Sequence, residues 1–129
     1  MSETREILTA EKFLERKKII DENHAKQLTY YSELLGGNID IDANVDVSEI
    51  TDLINQQELS ESERYVRLVY TCCPIFKAPE FRNAYDIKEP YDVVRESFKG
   101  LGVTLFELGN QILTVYGFMD DKKVDELKK

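Results

Sequence analysis

Between Tyr65 and Phe118 the apolar residues recur at helical spacing, and that rhythm is interrupted three times by a short polar or proline-bearing break. The segments are Tyr70-Thr71-Cys72-Cys73-Pro74-Ile75-Phe76, then Pro79-Glu80-Phe81, then Glu89-Pro90-Tyr91-Asp92-Val93-Val94, and last the stretch from Gly109 to Gly117-Phe118. Proline has no amide proton to give and fixes its own φ, so it stops a helix or opens one. The pattern therefore dictates several short helices packed together.

The boundaries follow from local chemistry. Ser60-Glu61-Ser62-Glu63 reads as a capping box, in which hydroxyl and carboxylate reciprocally satisfy orphan amides. It opens a helix bearing Tyr65, Val66, Leu68, Val69 and Cys72, which Pro74 ends. Pro79 and Pro90 each fit a first helical turn, leading into Phe81 and Tyr85 and into Val93, Val94 and Phe98. Gly100-Leu101-Gly102 closes the second of these. A last helix then carries Leu105, Leu108, Ile112 and Val115 on one face, with Gly117 as its stop.

The N-terminal half is less regular. Thr9 is a good N-cap for the helix-forming run that starts at Ala10. Gly36-Gly37 reads either as the C-cap of one long helix or as the turn between strands at 27–34 and 38–42. The alternation of Ile39 and Ile41 with Asp40 and Asp42 favours the hairpin. Asp46 or Ser48 caps a helix whose Ile50, Leu53 and Ile54 share a face. The expected fold is mainly α (α+β): one domain over 1–129, of five to six helices with a small N-terminal β-hairpin, ending in a charged, fraying tail at 120–129.

Composition narrows the function. A chain of 129 residues with 42% apolar content suffices for one modest core. Its net charge of −8 and lack of a basic stripe argue against nucleic acid. No apolar run reaches the roughly 18 residues a bilayer span needs, and the N-terminus has no apolar signal core, so no membrane association and a cytoplasmic location are expected.

No residue pattern points to catalysis, a cofactor or a metal. Asp40 to Asp46 begins like a calcium loop, but its sixth position is Val45 rather than Gly and its twelfth is Thr51 rather than Glu. Cys72 and Cys73 are neighbours, poorly placed for a disulfide, and read as small core hydrophobes. His24, the sole histidine, has no identifiable catalytic partner and reads as a surface or interface residue. The carboxylate pairs Glu61/Glu63 and Asp120/Asp121 sit in polar runs that suit capping and solubility. Neither Gly36-Gly37 nor Gly100-Leu101-Gly102 opens a phosphate loop. Aromatic residues cluster at helix ends and breaks. Most of them suit the core, and Phe76, Phe81, Tyr85, Tyr91 and Phe118 are the candidates for gripping a partner.

Taken in order, Tyr70, Cys73-Pro74, Ala78-Pro79-Glu80-Phe81, Glu89-Pro90-Tyr91-Asp92-Val93-Val94 and Tyr116-Gly117-Phe118 resemble the tail assembly chaperones of long-tailed bacteriophages and prophages. The resemblance covers the C-terminal half well and the N-terminal half loosely. It also implies a strand, a Gly-Gly turn and a second strand after a short N-terminal helix. It further implies a non-enzymatic protein of the host cytoplasm, absent from the mature virion. Such a protein binds the tape measure protein, helps recruit the major tail protein, and acts in many copies, which makes a homo-oligomer an expectation. From a different class, the acidic surface also fits a small inhibitor or regulator occupying a basic nucleic-acid-binding groove on a host protein, although the interspersed basic residues weaken that reading.

Overall fold

The computed structural model describes residues 6–119. Within them the chain is mainly α with a small β-hairpin near the N-terminus, as the periodicity requires. Helix α1, Ala10–Ala25, is capped by Thr9, whose Oγ1 accepts from the Lys12 amide at 3.2 Å. Strands β1, Thr29–Ser32, and β2, Gly37–Asp40, pair antiparallel with Tyr30 opposite Ile39.

The hairpin is the correct alternative for the Gly36-Gly37 pair. Gly36 takes a φ of 67°, which a side chain disfavours, while Gly37 already belongs to β2. Both strands are shorter than the sequence pattern suggests. Tyr30, Ser32, Ile39 and Ile41 point inward, and Thr29, Tyr31, Asn38 and Asp40 point outward.

Helix α2, Val47–Asn55, starts at Asp46, whose carboxylate accepts from the Ser48 amide at 2.9 Å. Helix α3, Glu61–Cys72, starts at Ser60, whose Oγ accepts from the Glu63 amide at 3.2 Å. Only that half of the capping box forms, because the Glu63 carboxylate is drawn away to Arg95 and Arg67. Past Cys73 the chain makes a 3₁₀ turn, Pro74–Lys77, and then α4, Pro79–Ala84, with Pro79 in its first turn as expected.

Pro90 behaves differently from Pro79. It lies in a turn closed by the Asp92 amide on the Glu89 carbonyl at 3.0 Å, and α5, Asp92–Ser97, begins two residues later. Asp92 supplies the reason: its carboxylate reaches back to accept from the Lys88 and Glu89 amides at 3.0 and 3.1 Å. Gly100, with φ 80°, ends that segment, and α6, Gly102–Val115, stops before Gly117, with φ 82°.

The core lies where α3 and α6 pack together, with α5, α2 and the inner face of the hairpin closing around them. Val69, Val94, Leu108 and Ile112 are fully buried, each burial worth roughly 1.5–3 kcal/mol. Val115, assigned to the same face of α6, is only half-buried. Gly109 permits the closest approach: a Cβ there would lie 2.0 Å from the Tyr65 ring. Among the described residues, no helix is long and apolar enough to cross a membrane. The expected frayed tail at 120–129 lies outside the described residues.

Candidate partner-binding surface

The five aromatic candidates do not form one patch. Phe76 is 5% exposed and packs against Phe81 and Phe98 at ring separations of 5.5 and 5.6 Å, so it belongs to the core rather than to a contact surface. From it a run of rings leads outward through half-buried Phe81 to half-buried Tyr85, 6.2 Å further on. Tyr91 belongs to another group. It meets Tyr70 edge-on at 5.4 Å, and the Arg67 guanidinium lies 4.7 Å from its ring centre. Phe118, 42% exposed just past α6, joins neither group among the described ring contacts.

A concave apolar site lies elsewhere, where α2, α3 and α6 meet. Leu53 and Ile54 of α2, Tyr65 and Leu68 of α3, and Leu113 of α6 line a groove of about 210 Å³, with Glu61 and Arg64 on its rim. Its walls are held in place. The Tyr65 hydroxyl donates to Asn110 Oδ1 at 2.5 Å, its ring meets Phe106 edge-on at 4.9 Å, and its inner face covers Gly109. Arg64 Nη1 donates at 3.3 Å to the Ile54 carbonyl, an acceptor in the last turn of α2 that helix geometry leaves unpaired. A wall fixed at both ends loses little freedom when something binds against it.

The polar groups around the body serve mainly to lock it. Arg95 takes Glu63, Glu89 and Asp92 together, with Arg95 Nη1 at 2.5 Å from Glu89 and 2.7 Å from Asp92. The Arg95 hydrogen bond is the main cause holding the Glu63 carboxyl below its usual range. The Tyr116 hydroxyl donates to the Asp42 carbonyl at 2.6 Å and accepts from the Val45 amide at 2.9 Å, tying the end of α6 to the loop before α2. Burial, helped by a 2.9 Å hydrogen bond to Glu107, pushes the Tyr30 hydroxyl up to about 12. None of these groups opens into the groove.

The remaining sequence candidates have structural placements. Cys72 and Cys73 are free thiols, completely buried, and burial pushes each up to about 12, which leaves them protonated and unreactive at neutral pH. The acidic run from Asp40 to Asp46 is distributed over β2, a turn in which Asp42 accepts from the Asn44 amide at 2.8 Å, and the cap of α2. Among the described residues, no group of three or more His, Cys, Asp or Glu is placed to hold a metal ion. His24 sits in the last turn of α1.

No family model, no curated protein and no solved structure matches this chain. Sequence reading missed the groove because Leu53, Ile54, Leu68 and Leu113 look like ordinary core positions. The sequence shows that three large apolar residues share one face of α2, and only the structure shows that Ile50 alone of them is buried.

Proposed function

We propose that this protein is a non-enzymatic tail assembly chaperone of a phage or prophage, working in the host cytoplasm and absent from the finished virion. Its client is the tape measure protein, a long helical chain whose apolar side chains need cover before assembly, and it assists addition of the major tail protein. The observation that carries the reading is the preformed apolar groove between α2, α3 and α6, rimmed by one acidic and one basic residue. Such a groove suits an apolar side chain projecting from a helix, with rim charges setting register and release. The ordered Pro- and aromatic-bearing segments of the C-terminal half add support.

A pull-down from cells carrying the parent phage or prophage tests this directly. Recovery of a long helical tail protein is the expected result, and Leu53→Asp should abolish it while Phe118→Asp leaves it intact. A thermal melt of each variant separates lost binding from lost folding. Recovery of a nuclease or polymerase in its place would overturn the reading in favour of the acidic-inhibitor class. Capture unaffected by Leu53→Asp would remove the groove from it.

A further inference from the structure

Helix α1 is sixteen residues long, about 24 Å at 1.5 Å per residue, and none of its residues is buried. Phe13, Leu14, Ile19 and Ile20 are 54%, 67%, 56% and 47% exposed. A helix of this length without a packed face is marginal in water, so α1 gains most from something that covers it.

The arrangement of the uncovered face indicates what that is. At 100° per residue Ala10, Phe13, Leu14, Lys17, Ile20, Asp21 and His24 fall on one stripe about 120° wide, while Glu11, Lys12, Glu15, Arg16, Lys18, Glu22, Asn23 and Ala25 fall outside it and Ile19 stands on the opposite face. Lys17 and Asp21, the two charges inside the stripe, have opposite sign and stand four residues apart, paired with each other in the single chain. Both remain half exposed.

We propose that this stripe docks on the same stripe of a second copy of this chain, with the two α1 helices antiparallel about a two-fold axis near residue 19. That axis exchanges position 17 with position 21, so Lys17 of each copy meets Asp21 of the other, and Leu14 and Phe13 of each lie over the last turn of the opposite helix. A two-fold contact requires a self-complementary patch, and one positive and one negative charge disposed symmetrically within an apolar stripe form such a patch. Opposed helix dipoles favour the same orientation. Two 24 Å helices bury less than the roughly 1,200 Å² of a stable standard-size interface, so the dimer is weak and concentration-dependent. The proposal does not depend on the tail-assembly reading, and it uses a face separate from the groove.

Sedimentation equilibrium of the full chain, from low-micromolar to millimolar concentration, is the test. The wild type should pass from monomer to dimer. Lys17→Glu makes both stripe charges acidic and Asp21→Lys makes both basic, so each variant alone should self-associate about tenfold more weakly. Mixed in equal amounts, the two variants should restore association as a one-to-one heterodimer, because each then meets its opposite. Within each variant the intrahelical pair is like-charged, so recovery on mixing reports the contact between copies. A monomer at every concentration, variants that self-associate like the wild type, or a mixture that stays monomeric would each overturn the proposal.

Discussion

Helices α1 and α6 are nearly equal in length, sixteen and fourteen residues, yet one has no buried residue and the other has six. Their local chemistry runs the opposite way. Helix α1 has a side-chain cap, an acidic first turn and the i,i+4 pair Lys17–Asp21, whereas α6 has no side-chain cap and no charge in its first or last turn. Capping and surface pairs make α1 a helix, and burial makes α6 one. A strongly written helix is therefore not the same thing as a core helix. The one with the weaker local signal organises the molecule.

Substitutions along the two helices separate these sources of stability. The largest loss is expected from Leu108→Ala, which empties a fully buried site and should cost about 2–5 kcal/mol in urea unfolding. Gly109→Ala comes next. Alanine is the better helix former, but its Cβ would stand 2.0 Å from a Tyr65 ring fixed by Asn110 and Phe106, so a net loss of about 1–3 kcal/mol is expected. A gain in stability would show that the ring moves freely.

Glu63→Gln, at the contact of α3 with α5, should cost about 1 kcal/mol at neutral pH. The Arg95 hydrogen bond lowers the Glu63 carboxyl in the folded state, so its contribution is present above the unfolded value of 4.5 and is lost as the pH falls below it. The gap between wild type and variant should close on acidification; a gap that persists at low pH would mean the residue acts by packing. The smallest effect belongs to α1, where Leu14→Ala in dilute solution should change unfolding by less than about 0.5 kcal/mol. A loss comparable to that of Leu108→Ala would end the contrast between the two helices.

Much of this fold is legible before any coordinates. Thr9, Asp46, Ser60, Pro79, Gly36, Gly100 and Gly117 each mark a start, stop or turn where the structure has one, because capping hydroxyls, a locked φ and a positive φ act within a few residues. The misreadings share one cause. Pro90 looks like Pro79 in sequence, but Asp92 folds back onto the preceding loop and delays the helix. The Glu63 half of the capping box looks complete until Arg95, 32 residues further on, takes the carboxylate. Phe76 looks like Tyr85 as an aromatic at a helix break, and only packing puts one in the core and the other at its edge.

By itself the sequence determined the helical class, favoured the hairpin turn, marked most of the element starts and stops, and gave the buried, hydrophobic character of the cysteine pair. Each of these depends on interactions within a few bonds or on bulk hydrophobicity. Tertiary structure alone decided which apolar faces meet. It put Gly109 beneath Tyr65, left Leu53, Ile54 and Leu113 open as a groove, and left α1 uncovered. Those outcomes are set by how the volumes and shapes of residues distant in the chain fit together, and the apolar pattern along the chain records only that a face is to be covered.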